Sequence, residues 1–479
     1  MLSVREMRVL DTNLEYHGVS IEGLMERAGE GIAKVLLETM KVKGKRVLFL
    51  SGTGNNAGDG FVAARLLKDQ AKITVALVKP PEAISKGPAR INLDRLPPEV
   101  RRVEPPFEAR TLVDEADTLV DGLMGTGIQG TLREPYRALV EAMNASGKPV
   151  LSIDMPSGLG SDHVVVPKVT VALHRIKEDM HPTNSGEIVT VDIGITPELE
   201  RMIGPGEMLY YPRPNADAHK GDSGRVLVVA GGPFTGAPSL SAMAAYRMGT
   251  DVVHVATPTR SAPIVAAFSP TFIVHPLSDE KLVPEDVPSL IELAQGMDAV
   301  IIGPGLGRDE ATLEAVRQFL RELDKPVSVD ADGITAVAGN PTCVQGKRGV
   351  VTPHVEEFHR LSGVELASEE EERMEQVASF AKELGLTILQ KGRHDIVSDG
   401  RSTKVNITGN PGMSVGGTGD VLAGLVGALL GKGVEPFNAA RIAAFSNGFA
   451  GDIAFRELSY GMTATDLLDR IPAVLIEFV

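Results

Sequence analysis

The chain has 479 residues, enough for two or three domains, and its 43% hydrophobic and 23% charged content is that of an ordinary globular protein. A net charge of −15 argues against a nucleic-acid-binding surface and against docking on an acidic membrane. The one cysteine, Cys343, excludes an intrachain disulfide and suits a reducing cytoplasm, while no apolar run reaches spanning length and Met1 through Asp11 is charged where a signal core would be apolar.

Taken in order, Ser20 to Met40 places Ile21, Leu24, Met25, Ala28, Ile32, Val35 and Leu36 on one helical face, with Ser20 as its N-cap. Lys45 to Leu50 reads as a buried strand, followed by the glycine loop Gly52 to Gly60 and a helix from Phe61. Strand, glycine loop and helix form the first unit of a doubly wound sheet. The loop fits the loose dinucleotide spacing GxGxxA, but the next strand, Lys72 to Val78, runs into Lys79-Pro80-Pro81 without the ribose-binding acid. An ordinary nicotinamide dehydrogenase is therefore a poor fit.

Asn55, Asn56 and Asp59 give this loop more side-chain oxygen than a phosphate cradle requires. Two further strand ends behave alike: Thr118 to Asp121 leads into Gly125-Thr126-Gly127-Ile128-Gln129-Gly130-Thr131, and Val150 to Asp154 into Pro156-Ser157-Gly158. Parallel strands open on one ligand-binding edge. Asn56, Asp121 and Ser157 are thus expected to converge on a cation, with Asp154 facing a small molecule. One carboxylate among neutral oxygens suits a monovalent ion better than calcium or magnesium. The same residue types also make turns and caps.

GTGNNAGDG, DGLMGTG and SIDMPSGLGSD resemble the three signature segments of the NAD(P)HX epimerase domain of the YjeF N-terminal type. The family's NNGGD is Asn55-Asn56-Ala57-Gly58-Asp59 here. The resemblance implies a Rossmann-like domain over residues 1–211 in which Asn55, Asn56, Ala57, Gly58, Asp59, the run Gly125, Thr126, Gly127, Ile128, Gln129, Gly130, Thr131, and Asp154 bind the hydrated nucleotide. It implies that Asn56, Asp121 and Ser157 hold potassium, and that the reaction interconverts the R and S forms at C6.

Strands over 164–173 and 188–195 follow, and periodicity is then lost through Gly204-Pro205-Gly206 and Pro212-Arg213-Pro214-Asn215, the mark of a boundary. A second alternating series predicts strands at 225–230, 252–256, 299–302, 327–330, 349–352 and 387–389, with a helix from about Ala237. Lys391-Gly392 puts a cation on the ligand-facing edge, and 395–407 reads as a hairpin turning at Asp399-Gly400. Next comes Gly409-Asn410-Pro411-Gly412-Met413-Ser414-Val415-Gly416-Gly417-Thr418-Gly419-Asp420, running straight into an apolar helix. Its glycines should deliver N–H groups at a helix N-terminus, a phosphate seat, with Asp420 beside it as a candidate base.

HKGDSGR leading to Gly236-Ala237-Pro238, then GPGLG, DADG, TPH and GNPGMSVGGTGD, resemble the NAD(P)H-hydrate dehydratase branch of the ribokinase-like superfamily. That resemblance implies a second domain over 212–479 in which Ala237, Gly305, His354 and Asp420 line the hydrate site. Lys391, Gly392, Arg393, His394, Asp395 and Gly419 would contact the adenine nucleotide, ADP or ATP with magnesium. Asp420 would deprotonate the C6 hydroxyl while the amides of Gly417, Thr418 and Gly419 stabilise the transferring phosphoryl group. The expected fold class is α/β with two doubly wound domains, and the expected assembly is a homo-oligomer with small-molecule partners, touching neither nucleic acid nor membrane. The competing reading is a small-molecule kinase that stops after phosphorylation, carrying a non-catalytic N-terminal binding module.

Overall fold

The alternation of apolar strands with helices builds two separate sheets in the computed structural model, which describes residues 2–125, 130–278 and 280–479. The chain divides into two units between Glu200 and Arg201.

The first unit holds β1 (Arg46–Ser51), β2 (Lys72–Leu77), β3 (Arg101–Val103), β4 (Thr118–Gly122), β5 (Val150–Ile153), β6 (Val169–Leu173) and β7 (Glu187–Val191). They pair in parallel in the order β3-β2-β1-β4-β5-β6-β7. Central parallel strands are covered on both faces and so read as continuous apolar runs, as in Val47 to Leu50. The Ile21–Glu38 helix forms where its spacing predicts: Ser20 Oγ accepts the Gly23 N–H at 3.1 Å, and Leu24, Met25, Ala28, Ile32, Val35 and Leu36 are buried. Each large aliphatic side chain so buried contributes about 1.5–3 kcal/mol.

Three features of this unit depart from expectation. The strand expected over 164–173 begins only at Val169, because Pro167 has no N–H to give the ladder. The strand expected over 188–195 ends at Val191. A helix over Val4–Tyr16, capped by Ser3, precedes the predicted elements and buries Met7, Val9, Leu10 and Leu14.

The second sheet contains β8 (Arg225–Val229), β9 (Val252–Pro258), β10 (Ile273–Leu277), β11 (Ala299–Ile302), β12 (Val327–Val329), β13 (Gly349–Val351), β14 (Thr387–Gln390), β15 (Asp395–Ser398) and β16 (Thr403–Asn406). Its order is β10-β9-β8-β11-β12-β13-β14-β15-β16. The strands are parallel up to β14; β15 and β16 form the expected antiparallel hairpin, with Asp399 accepting the Arg401 and Ser402 N–H groups across the turn. The edge strand β10, with Pro276 and His275 in it, was not foreseen. In each sheet the order reverses beside the first strand, between β1 and β4 and between β8 and β11, the position at whose carboxyl ends open α/β sheets bind ligands.

The boundary expected at 211/212 lies further along the chain than the division observed at 200/201. Residues 203, 208 and 211 pack into the core of the second unit, and Glu207 makes a 3.2 Å ion pair with Arg441, both fully buried. The Thr418–Gly431 helix is buried on all sides from Val421 onward. Gly424 lets it press on the Gly236–Arg247 helix, since a β-carbon there would lie 2.4 Å from the Ser241 carbonyl oxygen. Cys343 is buried, and burial pushes its thiol up to about 11. Among the described residues no helix is long and apolar enough to cross a membrane.

Candidate active sites

In the first unit β1 ends at Ser51, and Gly54 is the N-cap of a helix over Asn55–Leu66. Residues 55–59, expected as a loop with the helix starting at Phe61, are therefore the first turn of that helix, whose leading N–H groups have no partner within it. From this turn the Asn56 amide donates to the Ile153 carbonyl at 2.9 Å and the Met124 carbonyl at 3.4 Å. Ser157 Oγ donates to the same Met124 carbonyl at 3.1 Å and accepts the Met124 N–H at 3.0 Å. Asp121, fully buried, accepts from Ser152 Oγ at 2.8 Å and from the N–H groups of Ser157 at 2.9 Å and Leu123 at 3.3 Å. The three expected cation ligands thus meet around Met124. Burial raises the Asp121 pKa, and its hydrogen-bond partners are all neutral, so a cation at this point would hold the carboxylate ionised.

Asp154 stands at φ +65°, a left-handed conformation tolerated because the side chain is fixed: its Oδ1 accepts the Leu173 N–H at 3.2 Å and pairs with Lys177 Nζ. Lys177 is fully buried and also donates to the Leu173 carbonyl at 3.2 Å. Asp154, Asp59 and Asp11 line one cavity of about 430 Å³, together with Asn55, Asn56, Ala57 and Gly125. Burial, then the charge of Asp154, lifts the Asp11 carboxyl to about 6, against the pull of Lys177. Burial, then Asp154 and Asp11, holds Asp59 well above its ordinary value.

Gly58 instead packs under Met25, and Gly130 and Thr131 are not among the lining residues; Gly130 bridges to Ser161. The expected contacts at Thr126, Gly127, Ile128 and Gln129 lie outside the described residues. Sequence reasoning missed Asp11 and Lys177. Asp11 sits on a helix of charged residues with no motif, and Lys177 lies well past SIDMPSG. An isolated lysine between Ile176 and Glu178 carries no signal that it is buried.

In the second unit the loop after β16 ends at Gly417, φ +99°, which caps the Thr418–Gly431 helix. A β-carbon on Gly417 would meet Leu240 at 2.6 Å and Ala464 at 2.9 Å, so the turn needs glycine on two counts. Thr418 Oγ1 ties it down through the Met413 and Val415 carbonyls, at 3.0 and 3.2 Å. The N–H groups of Gly417, Thr418 and Gly419 thus stand at a helix N-terminus, as expected. Asp420 is the third residue of that helix. Burial, then the charges of Asp330 and Asp332, lifts its carboxyl to about 7, while Lys391 opposes the rise.

Lys391, at the end of β14, reaches Asp330 Oδ1 at 2.8 Å and Glu357 Oε2 at 3.7 Å. Burial pushes its pKa down, but Asp330 and Glu357 outweigh burial and raise it. Thr352 Oγ1 donates to the same Asp330 oxygen at 2.7 Å. Asp332 accepts the Gly307 N–H at 2.8 Å and Arg308 Nε at 2.9 Å, which ties GPGLG to DADG. Ala237 lies against Gly305, 3.1 Å from where a β-carbon would stand. His354 is an N-cap: its Nδ1 accepts the Glu356 and Glu357 N–H groups, and its own N–H goes to Glu357 Oε2 at 2.9 Å. His354 is thus linked through Glu357 and Lys391 to Asp330, whose charge acts on Asp420.

A second cavity, about 770 Å³, is lined by Lys391, Gly392, Arg393, His394, Asp395 and Gly419, all six of the expected nucleotide contacts. Burial raises Asp395 to about 6, though it accepts the Gly392 N–H at 3.0 Å and the Asn406 amide at 3.1 Å. Asp452 holds the glycine loop from below, accepting from the Gly409 N–H at 3.1 Å and the Asn410 amide at 2.9 Å. Asn447 lines the same cavity and was not foreseen, because it lies in a helix that carries no motif.

Comparison with known proteins matches both halves. A family described as NAD(P)H-hydrate dehydratase matches residues 226–473, and one described as YjeF-related protein N-terminus matches residues 21–178. The bifunctional NAD(P)H-hydrate repair enzyme Nnr of Pyrobaculum aerophilum is 42% identical, over 98% of this chain and 97% of its own length. The protein of the same name from Hyperthermus butylicus is 41% identical, over 98% and 91%. Among solved structures, the ADP/ATP-dependent NAD(P)H-hydrate dehydratase of Bacillus subtilis, co-crystallised with ATP and Mg2+, is 27% identical with a TM-score of 0.50, covering 57% of this chain and 96% of that one. With two adjoining domains matched in order and relatives this similar from end to end, the chain belongs to the family of bifunctional NAD(P)H-hydrate repair enzymes.

Proposed function

We propose that this chain repairs hydrated nicotinamide nucleotides, its N-terminal domain interconverting the R and S epimers of NAD(P)HX at C6 and its C-terminal domain dehydrating the S epimer with ADP or ATP. The observation that carries the reading is the placement of Asp420, poised near neutrality at the helix N-terminus next to the cavity lined by Lys391 to Asp395 and Gly419.

In the dehydratase, Asp420 takes the proton of the C6 hydroxyl as that oxygen attacks the terminal phosphorus and the bond to the remaining nucleotide breaks. The amides of Gly417, Thr418 and Gly419, with Lys391, receive the charge developing on the phosphoryl oxygens. The C6–O bond then breaks with its electron pair leaving on phosphate, pushed by the ring nitrogen. Loss of a C5 proton restores the C5–C6 double bond and NAD(P)H. Magnesium carried by the nucleotide would neutralise its phosphate charge. Ala237, Gly305 and His354 bound the hydrate.

In the epimerase domain, a carboxyl that keeps its proton, Asp59, protonates the departing C6 hydroxyl, and the ring nitrogen's lone pair forms an iminium as water leaves. Water returning to the opposite face gives its proton to a carboxylate of the same cluster, with Asp154 held in place by Lys177. Asn56, Asp121 and Ser157 would hold potassium, which supplies a fixed positive charge beside this cavity. A reducing, cytoplasmic setting suits the single buried cysteine.

The test supplies mixed NADHX epimers with ADP or ATP and follows the return of reduced-nicotinamide absorbance. Full recovery of both epimers, dependent on nucleotide, is expected. Accumulation of a stable phosphorylated hydrate would mean a kinase instead.

A further inference from the structure

Asn447 sits in the Pro436–Leu458 helix among Phe445, Ser446, Gly448 and Phe449, all buried. Its own exposure is 7%, and its buried Oδ1 has no hydrogen-bond partner among the described residues. Nearby Asn406 shows what a structural asparagine does here: its amide donates to Asp395 at 3.1 Å and to the Ala444 carbonyl at 3.2 Å, while its Oδ1 takes the Thr408 hydroxyl at 2.8 Å. Native proteins seldom leave a buried amide unmatched, because the desolvation cost is not recovered. In the wall of a cavity such an amide is satisfied by water while the cavity is empty and by a ligand's own groups once it is filled.

The cavity has two kinds of wall. Lys391, Thr418 and Gly419 in its lining are a cation and a helix N-terminus, which suit phosphate. Asn447 shares the lining with Ile407, Met413 and Leu422, whose apolar side chains suit a flat base better than ribose hydroxyls. A terminal amide offers one acceptor and a donor side by side, the complement of the exocyclic amine and ring nitrogen on adenine.

We propose that Asn447 hydrogen-bonds the base of the bound nucleotide and makes the site select adenine over bases that lack an exocyclic amine at that edge. This rests on the reading that the cavity takes the phosphoryl donor.

The test compares ATP with ITP, which carries an oxygen in place of the amine, in wild type and in Asn447→Leu. Wild type is expected to have at least a tenfold lower KM for ATP than for ITP. The substitution should raise the KM for ATP about tenfold and bring the two KM values together, with kcat and the KM for the hydrate within about twofold. Because the amide oxygen has no partner among the described residues, Asn447→Leu should leave Tm unchanged or raise it. A fall in Tm with the ATP to ITP ratio intact would overturn the proposal and make Asn447 structural. An equal rise in KM for both nucleotides would assign it to the sugar and also overturn it. If wild-type dehydration needed no nucleotide at all, the donor assignment itself would fall, and this inference with it.

Discussion

Lys391 Nζ stands 2.8 Å from Asp330 Oδ1, and the same ammonium is 3.4 Å from where a β-carbon on Gly419 would be. One cation thus serves two neighbours: it balances a buried carboxylate and faces the first turn of the helix that carries Asp420. Lys391→Met removes the charge that holds the Asp420 carboxyl down, leaving burial and Asp330 to lift it further. The midpoint of kcat/KM against pH for dehydration is expected to move to higher pH in the variant, beyond the loss of rate at any one pH. An unmoved midpoint would uncouple Lys391 from the base.

Asp420 works as a base only when ionised, and its carboxyl lies at about 7. Dehydration by the free enzyme should therefore rise with pH up to about 7 and fall about tenfold per unit below it. Asp420→Asn should lower kcat by about 10²–10⁴-fold across that range and abolish the pH dependence, while exchange of R and S epimers continues at the wild-type rate. Full dehydration by this variant would show that another group takes the proton.

Lys177 is fully buried against Asp154. Lys177→Met leaves Asp154 buried without its cation, which costs about 3–5 kcal/mol when one partner of such a pair is removed. The Tm of the N-terminal domain should drop, and Lys177→Met with Asp154→Asn should recover much of it without restoring epimerisation. Asp154→Ala alone should slow the return of NADH from the R epimer and leave the S epimer untouched, read by separating the two before assay.

Asp59 binds a proton in the folded state at pH values where the unfolded chain has lost it, since its carboxyl is held well above the ordinary 3.8. The sign follows: stability contributed by this group is full below about 4 and declines as pH rises toward the folded value. Asp59→Asn abolishes that decline. Its Tm should exceed that of wild type by more at pH 8 than at pH 5, at the expense of epimerase activity. An equal Tm gain at both values would mean that Asp59 does not titrate differently in the two states.

Glycines at strand ends made much of this architecture legible, because each marks a place where the backbone turns sharply next to a ligand edge. Gly417, Gly305 and Gly125 all stand where the motifs put them, and Asp420 could be read from its helix alone. Residues 55–59 were misread as a loop because Asn and Gly are poor helix formers; the first turn needs only that its free amides face open space. Lys177 and Asp11 were invisible for a different reason. Their significance comes from burial beside Asp154, and burial of an isolated charged residue follows from packing between elements distant in the chain, which no local pattern records. The junction was placed late because Pro205, Gly206 and Pro212 look like linker, while Glu207 is committed to Arg441 across more than two hundred residues of sequence.

Cys343 carries a consequence of its own. Oxidants and alkylating agents attack the thiolate, and this sulfur is both sealed from solvent and pushed by that burial up to about 11. Peroxide and electrophiles commonly disable enzymes through an accessible thiol. This one offers them no reactive sulfhydryl, so its working life under such conditions is set by its methionines and its fold.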